Sequence, residues 1–227
     1  MKYIHLYTSL LMFVLCTSCG GQNKPDPQKE KIKSETKDVS TSEWIDTKYE
    51  YADSMGKHLI IENGGPKGEG YTDRTGKEYF KTIFWTRITN ETGKQLELKM
   101  DFPVDSYELP SSPGRHFKIL LPFDTMTLDN LQLPNYGLTD LESFLDNNIR
   151  KPASLRRTIS SKESSGFYVV ILFDRAESGP FRTGLSIKGQ NLVYRISKYE
   201  SRPAGSLMDE KEINCGSISL KKLVLQK

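Results

Sequence analysis

Apolar and polar residues alternate along much of the chain after Trp44. The clearest case is the segment 95–102, in which Leu96 and every second residue after it is apolar, while Glu97, Lys99 and Asp101 are charged. Successive side chains of a β-strand point to opposite faces of the sheet. The pattern therefore predicts a strand with one face in a hydrophobic core.

Other segments combine apolar alternation with β-branched and aromatic residues, which also predicts strands. They cover residues 45–51, 58–62, 79–89, 116–121, 167–173, 182–187, 192–197 and 217–225. Residues 90–94 contain a glycine and predict a turn, so we expect 79–89 and 95–102 to form a β-hairpin. Residues 73–76 predict another turn. The Gly-rich segment 64–70 lacks the Gly-Lys-Ser/Thr ending of a phosphate-binding loop and predicts a mobile inter-strand loop.

Only one segment predicts a helix. Thr139 and Glu142 have the spacing of a capping box, in which two side chains bond to the backbone N–H groups at a helix start. Apolar residues then recur at helical spacing as far as Ile149, and Pro152 ends the pattern.

A single helix among so many strands predicts an all-β fold for residues 43–227. We expect an antiparallel β-sandwich, Ig-like or of a related type, with one short inserted helix. A closed β-barrel is the alternative, because the order in which strands pair is not visible in a sequence.

The first 18 residues have the organisation of an export signal peptide. Lys2 makes the start basic, an apolar stretch follows from Ile4 to Cys16, and Thr17 and Ser18 are small. The apolar stretch contains 13 residues. A helix that spans a membrane needs about 20, so we expect this segment to be cleaved rather than retained as an anchor.

The placement of Cys19 after these small residues resembles the lipobox of bacterial lipoproteins. The resemblance covers the signal region alone and departs from the family at Cys16, where leucine is usual. It implies cleavage between Ser18 and Cys19, diacylglycerol on the Cys19 thiol, and an N-linked acyl chain such as palmitate. Several acyl chains together make a stable membrane anchor.

Residues 19–42 predict a flexible tether between this anchor and the folded domain. They mix charges of both signs with Pro, Ser and Thr, and they contain too few apolar residues to form a core. We therefore expect a lipid-anchored domain in the bacterial cell envelope, outside the cytoplasm. Surface export signals of the Bacteroidetes type resemble an acidic run directly after the lipidated cysteine. Residues 20–24 lack an acid, which favours a periplasm-facing domain.

Composition adds exclusions to this prediction. The 227 residues are 36% hydrophobic and 27% charged, which is too apolar for a wholly disordered chain. Lys and Arg number 32 against 29 Asp and Glu, a formal net charge of +3. Because the short basic pairs form no continuous track, we expect no nucleic-acid partner.

The cysteines exclude a disulfide within the mature chain. Cys16 would leave with the signal peptide and Cys19 would be a thioether, so Cys215 has no partner cysteine. A nucleophilic Cys215 would need His58 or His116 beside it, an arrangement recognised in space rather than in sequence.

We expect instead that Cys215 is a buried, unreactive side chain beside the last strand. Gly216 predicts a β-bulge that changes which face of the strand points inward, so that Ile213 or Cys215 can join Ile218 in the core. A small apolar side chain suits such a crowded position.

No motif predicts a cofactor, a metal site or a catalytic group. Acidic residues that could form a carboxylate pair are predicted to lie on the solvated surface: Asp124, Asp129, Asp140, Glu142 and Asp146. The sequence therefore favours a binding or envelope-assembly module whose partner is an envelope protein, a glycan or a small ligand. The alternative is a hydrolytic enzyme of the envelope that uses carboxylates or Cys215.

Overall fold

A computed structural model describes residues 41–109, 112–176, 180–200, 206–219 and 224–225. The predicted signal peptide, Cys19 and all but the last two residues of the predicted tether lie outside these ranges. Within them, no helix is long and apolar enough to cross a membrane.

The described chain is built mainly from β-strands, as the alternating pattern predicts. The strands are β1 (Ile45–Ala52), β2 (His58–Gly64), β3 (Lys67–Thr72), β4 (Glu78–Asn90), β5 (Leu96–Phe102), β6 (Tyr107–Glu108), β7 (His116–Leu120), β8 (Ala153–Ile159), β9 (Ser164–Phe173), β10 (Phe181–Lys188), β11 (Asn191–Tyr199), β12 (Leu207–Ile218) and β13 (Val224–Leu225).

These strands form two antiparallel sheets. Sheet A has the strand order β13-β1-β2-β4-β9-β7-β6, and β3 pairs with β4 beside this path. Sheet B has the order β10-β11-β12-β5-β8. The prediction of an antiparallel β-sandwich with one inserted helix is confirmed, and the described strands form two separate sheets rather than one closed barrel.

The predicted helix is confirmed, but its start differs from the prediction. Helix α1 covers Leu141–Asn148, and three short 3₁₀ segments lie at Thr41–Trp44, Leu128–Asn130 and Pro134–Gly137. The N-cap is Asp140, in the left-handed conformation (φ 52°), and its side chain makes no capping hydrogen bond. Glu142 lies instead 3.9 Å from Nζ of Lys81. The predicted capping box is therefore wrong.

The predicted hairpin is also wrong, because β4 and β5 belong to different sheets. β4 pairs with β2, β3 and β9, whereas β5 pairs with β12 and β8. Residues 90–94 cross between the sheets. Asn90 holds this crossing, since its Nδ2 lies within 3.1 Å of the carbonyl oxygens of Lys94, Ile159 and Ser160.

Two further segments differ from their predictions. The Gly-rich segment 64–70 is mostly strand, because β2 ends at Gly64 and β3 begins at Lys67 to form a hairpin with β4. The turn predicted at 73–76 is confirmed: it connects β3 to β4, and the Asp73 N–H donates a hydrogen bond to the Lys77 carbonyl. The strand predicted over 217–225 is instead the end of the longer β12 and the separate β13.

Two hydrophobic clusters stabilise the fold. The larger cluster lies between the sheets and includes Val169 and Ile171 of β9. The second covers the other face of sheet A, where Val170 and Leu172 pack beneath α1 and the 3₁₀ segments. β9 is therefore buried on both faces, which explains its continuous apolar sequence.

Candidate binding groove between the two sheets

The two sheets are joined along one side by side chains of sheet A that bond to the edge of β10. Asn63 of β2 accepts a hydrogen bond from the Leu185 N–H at 2.9 Å and donates to the Leu185 carbonyl at 3.2 Å. The Tyr51 hydroxyl accepts from the Ile187 N–H at 2.7 Å. β10 is the edge strand of sheet B among the described strands, so its outward N–H and C=O groups have no neighbouring strand there to bond to. Side chains of sheet A satisfy some of these groups instead, and β10 is thereby held against β1 and β2.

A groove of about 570 Å³ opens where β1 approaches β10 and β11. We call it the seam groove. The charged residues that line it are Asp46 on β1, Arg182 on β10, Arg195 on β11 and Glu210 on β12. Gly184 has no side chain, and a Cβ there would lie 3.1 Å from Oγ1 of Thr47. The backbone of β10 can therefore approach β1 closely at this point.

Opposite charges are paired on the walls of the seam groove. Arg182 Nε lies 2.8 Å from Oδ1 of Asp46. Arg195 lies between two glutamates, with Nη2 donating to Glu212 at 3.0 Å and Nε 3.3 Å from Glu210. Burial raises the pKa of Asp46 above its ordinary value, and the Arg182 guanidinium opposes that rise.

Hydrogen-bonding groups and aromatic rings complete the groove. Ser197 donates to Oε2 of Glu210 at 3.1 Å, and Tyr49 and Tyr199 contribute half-buried side chains. Among the described residues, the buried Nε of Arg195 has no aligned hydrogen-bond acceptor. The seam groove is thus a concave surface with fixed donors and acceptors, and its volume is within the range of roughly 300–1,000 Å³ typical of ligand sites.

Cys215 lies in the core between the sheets, as predicted. It is 2% exposed, and its Sγ donates to the Leu192 carbonyl at 3.4 Å. The register of β12 against β11 shifts between Asn214 and Gly216, which confirms the predicted bulge. Burial raises the pKa of the Cys215 thiol to about 12, so the reactive thiolate is disfavoured in the folded protein.

The two histidines lie in surroundings different from that of Cys215. His58 pairs through Nδ1 with Glu50 on the neighbouring strand β1. His116 lines a separate open groove that also contains Lys118 and Asp174. Within the described ranges, the structure therefore provides no Cys–His pair of the kind that a nucleophilic Cys215 would require.

The acidic residues singled out in the sequence do not line the seam groove. Asp146 accepts hydrogen bonds from the Tyr71 hydroxyl at 2.5 Å and from Arg74 Nε at 2.7 Å. Glu142 lies near Lys81, as described above. These two carboxylates are engaged in pairs that join α1 to sheet A.

The groove residues themselves are missed by sequence analysis because they occupy ordinary polar positions on strands. Nothing in the sequence distinguishes Asp46, Arg182 and Arg195 from the polar residues that occupy the solvent-facing side of any half-buried strand. The one available signal is Gly184, since a glycine within a strand often marks a close approach of another backbone.

We expect Cys215 to react slowly with a small maleimide in the folded protein and rapidly after unfolding in urea. Stability should also depend on alkaline pH. The folded state keeps the thiol proton to higher pH than the unfolded state, whose pKa is near 9. The free energy of unfolding should therefore fall above pH 9, with a contribution from this thiol of up to about 1.4 kcal/mol per pH unit.

Cys215→Ala is the control for this experiment. Tyrosines also titrate in the alkaline range, so the difference between wild type and variant isolates the thiol. Folded-state labelling as fast as that of a free small thiol would contradict the structural role.

No protein-family model, curated protein or solved structure matches this chain.

Proposed function

We propose that this protein is a lipid-anchored binding module of the bacterial cell envelope and that its ligand occupies the seam groove. The seam groove is the observation that carries the proposal. It is concave, it lies where two sheets meet, and its polar groups are held by ion pairs and hydrogen bonds. Such preorganised donors and acceptors favour binding, because little side-chain freedom is lost when a ligand arrives.

The lipobox-like sequence at Cys19 supports the anchored part of the proposal. A tether of residues 19–42 would let the folded domain stand away from the lipid head groups, since a polar chain of this length spans roughly 25–30 Å. From such an anchor, the domain could reach an envelope protein, a glycan or a small ligand as its partner.

The hydrolase alternative gains no support from Cys215, because burial and a raised pKa both disfavour thiolate chemistry. Asp46 and Glu210 are each engaged with an arginine, which fixes them as hydrogen-bond acceptors. We therefore favour the binding function.

Cys19→Ser should abolish incorporation of labelled palmitate and release the protein from the membrane fraction, because the thioether and N-acyl chains would no longer form. Cys215→Ala is the matched control, since it removes a cysteine that lies outside the lipobox and labelling should persist. External protease should digest the domain only after the outer membrane is permeabilised, if the domain faces the periplasm. Equal labelling of wild type and Cys19→Ser would refute the anchor, and digestion of intact cells would place the domain on the surface.

A further inference from the structure

The charges that line the seam groove compensate one another. Asp46 pairs with Arg182, and Arg195 pairs with Glu210 and Glu212. An anionic ligand that bonds to a guanidinium would lie beside the carboxylate already paired with it, and a cationic ligand that bonds to a carboxylate would lie beside the paired guanidinium. Each ligand charge would therefore meet a neighbouring like charge, so the groove selects against ligands of net charge.

The same pairs favour ligands rich in hydroxyl groups. Each carboxylate oxygen can accept more than one hydrogen bond, and each guanidinium carries five N–H donors, so pairing leaves directed donors and acceptors side by side. A hydroxyl donates and accepts at once and can therefore bridge such neighbours.

Two tyrosines complement these polar groups. Tyr49 and Tyr199 are half-buried at the groove, where they can present ring surface to the C–H groups of a ligand and hydroxyls to its oxygens. Ring faces beside dense hydrogen-bonding groups match the two chemical faces of a sugar ring.

We propose that the seam groove binds an uncharged saccharide, made of neutral hexoses or N-acetylhexosamines. This inference rests on the proposed function and names its ligand class. Arg195 would donate to a ring or hydroxyl oxygen, Glu210 would accept from a hydroxyl, and Tyr199 would pack against the sugar ring.

The test is calorimetric titration of the full mature protein in a detergent that has no sugar head group. Four probes of similar size separate ligand classes and sources: neutral hexose oligomers, N-acetylhexosamine oligomers free of peptide, uronic-acid oligomers, and a mixture of short peptides. We expect saturable binding of one of the two neutral saccharides, and the identity of that saccharide distinguishes a hexose polymer from a cell-wall-type glycan as the source.

Groove variants and matched controls show where the saccharide binds. Arg195→Ala and Tyr199→Ala should each weaken binding at least tenfold, and Tyr199→Phe should restore most of the affinity because it keeps the ring. Arg156→Ala removes an arginine that is ion-paired to Asp101 on the same sheet but lies outside the groove. Tyr79→Ala removes a half-buried tyrosine elsewhere on sheet A. Both controls should bind as wild type does.

Distinct outcomes separate the saccharide assignment from the proposed function. Binding of uronates or peptides that is lost in Arg195→Ala would overturn the saccharide and leave the binding groove intact. Saccharide binding that Arg195→Ala and Tyr199→Ala leave unchanged would overturn the groove as its site. The absence of binding in all four arms would overturn the saccharide assignment. In that case, an envelope extract that raises the melting temperature of wild type but not of Arg195→Ala would still support a groove-binding module.

Discussion

Replacing Gly216 by alanine should lower the free energy of unfolding by about 4 kcal/mol, the largest single effect that we expect from a substitution without a change of charge. A Cβ on Gly216 would lie 1.9 Å from the carbonyl oxygen of Lys99, which belongs to the backbone of the adjacent strand β5. A backbone atom in a sheet cannot move aside as the end of a side chain can. The φ of 149° adds strain for any residue with a Cβ.

This substitution should affect the core as well as the backbone. Gly216 follows the bulge in β12 and pairs with both Leu192 and Met100. The bulge allows Cys215 and Ile218 to point into the same core, although strict alternation would place them on opposite faces of the strand. If β12 shifts to relieve the clash, its inward side chains lose their packing, so we also expect faster maleimide labelling of Cys215.

Two other glycines separate steric clash from backbone strain. Gly189 has a positive φ of 66° but open space where a Cβ would lie, so Gly189→Ala should cost about 1 kcal/mol from strain alone. Gly65 has open space and no such φ, so Gly65→Ala should be almost neutral. Urea unfolding of the three variants measures this order. Equal effects of Gly216→Ala and Gly189→Ala would show that the contact with Lys99 is not decisive.

The bulge shows where local sequence is sufficient to predict structure. Gly216 between inward-facing residues indicates both the bulge and the burial of Cys215, because side-chain alternation leaves few other ways to place these residues inside. The segment 95–102 is predictable for the same reason. Its alternation defines a half-buried strand, whichever strand it pairs with.

Pairing partners depend on contacts that the local pattern does not contain. Residues 90–94 have the composition of a hairpin turn, yet they connect two sheets. The side chain of Asn90 stabilises this crossing through the carbonyl groups of Ile159 and Ser160, which are far from it in sequence. Likewise, Asp46 and Arg182 are separated by most of the domain, and only the folded chain places them on facing walls of one groove.

Asn63→Leu should lower the free energy of unfolding by about 3 kcal/mol and open the sandwich along the groove. Asn63 is 1% exposed, and its side chain bonds to both backbone groups of Leu185, accepts from the Thr86 hydroxyl at 2.9 Å and donates to Thr47 at 3.1 Å. Leucine has a similar volume but can make none of these bonds. The substitution therefore leaves several buried polar groups unsatisfied, at a cost of roughly 1–3 kcal/mol each before relaxation.

Amide hydrogen exchange provides a local measurement of this effect. The Leu185 N–H should lose most of its protection in Asn63→Leu, because Asn63 is its acceptor, while amides in the centre of β9 should change only with global stability. Tyr51→Phe removes one bond to the same edge, at Ile187, and should cost about 1 kcal/mol. Asn191→Leu, at an exposed position on β11, controls for the loss of an amide side chain and should change stability by less than about 0.5 kcal/mol.

The same variant connects stability to the groove. Thr47 and Gly184 lie beside Asn63, so release of β10 from β2 would separate the walls that carry Asp46 and Arg182. We therefore expect Asn63→Leu to lose ligand binding at temperatures where the rest of the domain remains folded, and Tyr51→Phe to keep it. Unchanged exchange at Leu185 in Asn63→Leu, or ligand binding as tight as that of wild type, would show that Asn63 does not hold the two sheets together at the seam groove.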